Sequence, residues 1–236
     1  MARTGTNLDT ETANGLTNET TRTTATSIST VSGRRYFFAL ATGGGSGGLL
    51  TNPTVVFNGS GLTMTIVIRE KNDAASSTLC LFSGVATASS SGTFTLTRGG
   101  SDTWGRICII VDEINDSVGT AGAIQQSKVN EDNTSATSTL TCTFDGAFQS
   151  GSYGYAAFIN SSLLVVTPRT NWTELADIGN ATAEQLATQY RDATDTAASG
   201  SWASNALSVG VGVEVLEGAA SGIPAGVLAA ILDEEG

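Results

Sequence analysis

Short runs of alternating side chains, divided by Gly/Asn/Ser turns, constrain the fold of this chain more than any other feature. The clearest is Leu62–Arg69: Leu62, Met64, Ile66 and Ile68 fall on one face and Thr63, Thr65, Val67 and Arg69 on the other. That is the period-two pattern of a strand. Thr93–Thr97 repeats it with Phe94 and Leu96 inward, and Thr137–Phe144 with Leu140, Cys142 and Phe144 inward. Ser77–Val85 and Trp104–Ile114 (WGRICIIVDEI) are apolar on both faces, as strands are at the centre of a sheet or at an interface. Tyr36–Leu40, Pro53–Phe57, Tyr153–Asn160, Leu163–Val166 and Trp172–Leu175 add further short runs. Ser208–Leu216 places Val209, Val211, Val213 and Val215 on one face. Gly210 and Gly212 leave the other face bare, so that a backbone or an aromatic ring can approach closely. Ala181–Asp192 pairs Leu186 with Tyr190 at helical spacing, but its β neighbours favour an extended segment. About ten such strands, with no βαβ rhythm, predict an all-β fold, an antiparallel β-sandwich or jelly roll.

Composition agrees. Only 14% of the 236 residues are charged, against roughly 25% in an average domain. Thr, Ser, Gly, Ala and Asn fill the difference, and β-branched Thr favours strands. The formal net charge is −11 and the pI about 4.3. Lys71 and Lys128 are the only lysines. Without a basic stripe, neither nucleic acid nor an anionic membrane surface is an expected partner, and no stretch is long enough to span a bilayer. The start, MARTGTNLDTETANG, has no apolar core of a secretory signal. The three cysteines, Cys80, Cys108 and Cys142, are widely spaced inside β-like runs. They read as small buried hydrophobes rather than a disulfide framework or metal knuckle, although one bridge between two of them stays open.

Three segments follow from the pattern. Residues 1–33 are polar and Thr-rich, with Leu8, Leu16, Ile28 and Val31 isolated. Such a stretch has no core of its own, so it is expected to be an extended N-terminal arm lying on a partner. Residues 34–217 form the sandwich. Residues 218–236 comprise a linker and a short C-terminal helix, in which Pro224 suits the first turn. Val227, Leu228, Ile231 and Leu232 line its apolar face. A helix this short must dock to persist. The expected assembly residues are therefore Leu8, Leu16 and Ile28 in the arm and Val227, Leu228, Ile231 and Leu232 in the tail.

Candidate chemistry is sparse. The chain has no histidine, which removes the usual general base, the nucleophilic triads and His metal sites. No P-loop, GxGxxG or HExxH pattern occurs, and the glycines of ATGGGSGG read as a flexible loop. Asp112, Glu113 and Asp116 cluster in VDEIND, and Glu131 with Asp132 in KVNEDNTS. Paired carboxylates can cleave glycosides, but Asp112 reads as a solvated strand end. Trp104, Trp172 and Trp202 could stack on a sugar, yet their separate positions favour packing in a core or rim. No catalytic residue, cofactor or metal site is expected, and the chain reads as a non-enzyme.

The pieces GSGLTMTIV, TWGRICIIVDEINDSVGTAGAIQQS, YGYAAFIN, TPRTNWTELAD, TQYRDATDTAASGSW and VGVGVEV, in that order from Leu62 to Glu214, resemble a family of β-sandwich domains in structural proteins of tailed phages and prophages. The resemblance covers about two thirds of the chain and leaves out the arm and the tail. It implies a virion protein assembled in the host cytoplasm, a capsid-decoration or head-associated subunit. Its implied partners are copies of itself, as a trimer on a three-fold position, and another virion protein such as the major capsid protein. A carbohydrate- or receptor-binding module on a phage tail is the alternative. A glycosidase using Asp112 or Glu113 is a third reading.

Overall fold

The computed structural model describes residues 3–16, 19–43, 50, 52–99, 104–115, 121–132 and 134–217. The expected C-terminal helix and the glycine loop at 44–49 lie outside them. The described residues contain no helix, and every strand pairing is antiparallel.

The first half of the chain contributes β1 (Thr4–Asn14), β2 (Thr21–Thr23), β3 (Ile28–Thr30), β4 (Arg35–Gly43) and β5 (Thr54–Phe57). It continues with β6 (Thr65–Asn72), β7 (Ser77–Val85), β8 (Ser90–Gly92), β9 (Phe94–Thr97) and β10 (Arg106–Asn115). The second half contributes β11 (Ala121–Glu131), β12 (Thr137–Thr143), β13 (Tyr153–Asn160) and β14 (Thr167–Pro168). The last four are β15 (Thr173–Gly179), β16 (Gln185–Arg191), β17 (Ala197–Ala206) and β18 (Ser208–Glu217).

These strands stack as layers. A first outer layer, β2-β9-β5 with the small β3-β8 ribbon, covers a first inner sheet, β1-β10-β4-β7-β6. A second inner sheet, β11-β18-β13-β16-β15, packs on that one and is covered by a second outer sheet, β12-β17-β14. Three apolar layers fill the gaps. Strand β4 shows why: Tyr36, Phe38 and Leu40 enter the first core with Phe82, Phe94 and Trp104, while Phe37, Ala39 and Ala41 enter the second. There they meet Tyr155 and the valines of β18. Each large side chain so buried contributes about 1.5–3 kcal/mol relative to exposure. The bare glycine face of β18 is filled as its sequence suggests. A Cβ on Gly210 would stand 2.6 Å from the Phe158 ring, and one on Gly212 3.0 Å from that of Phe144. Both belong to the third core, with Cys142, Trp172 and Trp202.

Several expectations are corrected. The N-terminal arm is built into the body: β1 pairs along its length with β10, β2 with β9 and β3 with β8. An edge strand gains its hydrogen bonds from the backbone and needs few apolar side chains, so a Thr-rich segment can serve. Its apolar residues are occupied within their own chain. Leu16 and Ile28 are buried in the first core and Leu8 packs partly against it. Leu62–Arg69 does not keep one apolar face. A bulge between Ile66 and Ile68 leaves Leu62 and Met64 in the first core, turns Val67 and Ile68 toward the second, and exposes Ile66. Leu163–Val166 is a loop rather than a strand. The Asn160 side chain accepts the amides of Ser162 and Leu164 at 3.1 Å each, and Leu163 takes a φ of 53°. Of Ala181–Asp192, Gln185–Arg191 is extended, as β16, and Ala181–Ala183 form a bend.

Candidate functional site

The carboxylates were the residues with most chemical promise, and the fold distributes them. Asp112 and Glu113 are neighbours on β10, so their side chains leave opposite faces of the sheet. Asp112 is fully buried between the inner sheets rather than solvated, because β10 continues past it, flanked by β1 and β4. It accepts hydrogen bonds from Asn7 Nδ2 at 2.9 Å and from the Tyr155 hydroxyl at 2.7 Å. Tyr155 is itself stacked on Phe37, ring centres 4.0 Å apart. Burial raises the Asp112 carboxyl to about 6, against the pull of its hydrogen bonds from Asn7 and Tyr155. Glu113 points the other way, into an ion pair with Arg34 and a hydrogen bond from Tyr36 at 2.5 Å. Two carboxylates on opposite faces of one strand cannot flank a single glycosidic bond.

The other buried acids have the same character. Glu184, at the start of β16, receives Arg106 from β10, the amide of Asn180, and the Ser77 hydroxyl at 3.4 Å. It therefore joins the two inner sheets at the end opposite Asp112. Glu214 on β18 accepts Gln126 Nε2 and the Gln149 amide, each at 2.6 Å. Asp195 accepts the Trp172 indole at 3.0 Å and the Thr196 amide at 2.7 Å, and it pairs with Arg191 at 3.0 Å. Burial tends to raise its carboxyl, but these hydrogen bonds with Arg169 and Arg191 hold it below the usual range. Acids so engaged hold layers together.

Sequence reasoning passed over one pair, Glu174 and Asp177 on β15. Burial raises both carboxyls, and Asp177 adds to the effect on Glu174. Asp177 is spent on the Val166 amide at 2.7 Å and on the Gln185 side chain. Three residues apart across a bulge, the two acids carry no motif that would mark them in a sequence. The described residues bring no group of three His, Cys, Asp or Glu side chains together. All three cysteines are buried and none forms a disulfide. The tryptophans form no platform: Trp104 fills the first core, and Trp172 and Trp202 the third.

What remains is surface, and it is uneven. Each layer ends in an edge strand, and the edges align into two flanks. On one, β2 lies beside β1 through the Arg22–Glu11 pair at 2.6 Å, and β15 packs against β1 and β14. Arg3 closes that flank, gripping Asp192 at 2.6 Å and stacking over Tyr153. On the other, β5, β6, β11 and β12 follow one another. The large apolar side chains that strands leave exposed, Val56, Ile66 and Val129, all stand on this second flank; Val31, Leu163 and Val165 belong to loops. Between β5 and β6 the flank opens into a groove of 510 Å³, lined by Asn52–Thr54 and Ile66–Arg69. Of the expected assembly residues, Leu8, Leu16 and Ile28 are not on it, and Val227, Leu228, Ile231 and Leu232 lie outside the described residues.

Comparison with known proteins finds no matching family model, no matching curated protein and no matching solved structure.

Proposed function

We propose that this chain is a non-enzymatic structural protein of a tailed-phage virion, a capsid-decoration or head-associated subunit that packs as a symmetric oligomer. The observation that carries the assembly reading is the second flank, where sheet edges left open among the described residues coincide with the exposed apolar residues Val56, Ile66 and Val129. Unpaired strand edges invite pairing with another chain, and proteins usually blunt them with charge. Here the β1 flank is polar and clasped by ion pairs, whereas the β6 flank, beside its own pairs Lys71–Asp73 and Lys128–Asp145, also presents isoleucine and valine. The virion assignment rests on the ordered motifs between Leu62 and Glu214. The non-enzymatic reading rests on the engagement of Asp112, Glu113, Glu184, Asp195 and Glu214 in buried or part-buried hydrogen bonds, since a catalytic acid or base must reach its substrate. The flank thereby replaces the N-terminal arm as the contact surface, with copies of the same chain and a shell protein as partners.

Mass spectrometry of purified particles tests the assignment, with many copies per virion expected. Sedimentation of the recombinant chain should show a closed oligomer, dispersed by Ile66→Asp with Val129→Asp. A strictly monomeric protein that fails to rebind stripped particles refutes it. The tail-module alternative requires an exposed aromatic face for a glycan, and Trp104, Trp172 and Trp202 are all buried.

A further inference from the structure

We propose that Asn14 is a site of spontaneous covalent modification: its side-chain amide closes onto the Gly15 nitrogen, loses ammonia and hydrolyses to aspartate or isoaspartate, which loosens the end of β1 from the loop between β15 and β16. The inference does not depend on the virion reading.

The reaction needs an asparagine side-chain carbonyl and a following backbone nitrogen that is free to meet it. A glycine in that place removes the Cβ that obstructs the approach. The chain contains the pair twice, as Asn14-Gly15 and Asn58-Gly59, and the fold separates them. Asn14 is the last residue of β1 and is exposed. Gly15 is also exposed, takes a φ of 74°, and has nothing within 4 Å of where a Cβ would stand. Its N–H has no acceptor among the described residues. The nitrogen can therefore swing without displacing a neighbour. The Asn14 side chain is held by the β15–β16 loop. Its Nδ2 donates to the Asn180 carbonyl at 2.8 Å, and its Oδ1 accepts from the Thr182 hydroxyl at 3.3 Å, a proton shared with Asn180 Oδ1 at 3.1 Å. A donor on Oδ1 stabilises the negative charge that collects there when Cγ is attacked.

Asn58 is exposed as well, but its neighbour is hemmed in. A Cβ on Gly59 would stand 2.4 Å from the Phe57 ring, and one on Gly92 would stand 2.5 Å from the Gly59 nitrogen. The Asn58 Nδ2 donates to the Thr93 and Thr95 hydroxyls at 2.9 and 3.0 Å, and no described residue donates to its Oδ1.

The steps balance with water alone. A solvent base takes the Gly15 amide proton as the nitrogen bonds to Cγ. The bond from Cγ to Nδ2 then breaks, and Nδ2 takes a proton from solvent and leaves as ammonia. Water opens the resulting cyclic imide at either carbonyl. One opening leaves an aspartate, and the other an isoaspartate whose main chain runs through the side-chain carbons. Either product removes the donor from the Asn180 carbonyl and adds a negative charge to the end of β1. The isoaspartate also lengthens the backbone just before Leu16, which is buried in the first core and donates its amide to the Gly105 carbonyl at 3.1 Å.

The test uses the full-length chain, held at mildly alkaline pH, sampled over days, digested and mapped by mass spectrometry for the amide-to-acid change and for isoaspartate. In the folded protein Asn14 is expected to convert about tenfold or more faster than Asn58, where conversion waits on local opening. In urea the two rates should come together, since a glycine follows each asparagine. Equal rates in the folded chain, or faster conversion at Asn58, overturn the proposal. A difference that survives denaturation also overturns it, by tracing the preference to local sequence rather than to the fold. Independently, Asn14→Asp installs one product directly. Amide exchange at Thr10–Ala13 is expected to accelerate about tenfold in this variant while β4 stays unchanged. Exchange equal to that of the wild type overturns the loosening of β1.

Discussion

Replacing Asp112 by Asn isolates the cost of a charge held between the two inner sheets. The carboxyl is pushed by burial from an ordinary 3.8 to about 6. A folded-state pKa above the unfolded one means that the native state holds the proton more tightly. Stability is therefore highest with Asp112 protonated, falls as pH rises from about 3.8 through about 6, and levels off above that. The full span is 6 minus 3.8, which at 1.36 kcal/mol per pH unit is about 3 kcal/mol. The pI of about 4.3 makes strongly acidic measurements prone to precipitation, so pH 5 and pH 7.5 are the practical limits. Between them the carboxyl accounts for about 1 kcal/mol of lost stability. Asparagine keeps the shape of the site. Its Oδ1 can accept from Asn7, its Nδ2 can donate to the Tyr155 oxygen, and the Tyr155 proton can turn to the neighbouring Thr188 hydroxyl. Urea denaturation of both proteins at the two pH values reads the effect directly. The variant should gain about 1 kcal/mol on the wild type as pH rises across this window. A difference that stays flat would mean that Asp112 is not buried as a charge, and the reasoning would fail.

Three further outcomes are expected. Leu16→Ala and Ile28→Ala should each destabilise the isolated chain by about 2–4 kcal/mol, as core truncations do; a change below about 0.5 kcal/mol, typical of surface positions, would return the N-terminal segment to a partner. Gly210→Val should drive methyl groups into the Phe158 ring and lower the thermal midpoint, at a cost of about 1–3 kcal/mol, whereas Gly146→Ala, with no atom within 4 Å of its added Cβ, should leave it unchanged. Thiol titration should find no reactive cysteine in the folded protein and three after denaturation, because burial pushes Cys108 and Cys142 up to about 12; fast labelling of the native chain would contradict the packing.

The central strands were legible because burial writes itself into composition. Tyr36–Leu40, Ser77–Val85 and Trp104–Ile114 are apolar on both faces and sit inside sheets, and the Val/Gly alternation of β18 foretold an aromatic ring on its bare side. The missed elements are those whose partners supply what their own side chains lack. Strand β1 is half threonine and acid yet holds ten register pairs to β10. Strand β17, AASGSWASNA, packs through Ala198 and Trp202 with little periodic signal. The bulge in β6 hides in an unbroken alternation, since a one-residue slip leaves no trace in residue type. The polar centres were unreadable for a related reason. Asp112 meets Asn7 and Tyr155 from 105 and 43 positions away, and Glu184 meets Arg106 from 78.

The pairing of β1 with β10 sets an order of events during synthesis. Residues 4–14 leave the ribosome about a hundred residues ahead of their ladder partner, residues 106–115. The grip of Arg3 on Asp192 waits for nearly the whole polypeptide. Strand β1 is thus made well before the partners that lock it. Until then, the β10 edge of the nascent first sheet stands open to strangers. Non-local pairing of this kind folds slowly, and a cell producing this chain in quantity must shield that edge or accept aggregates.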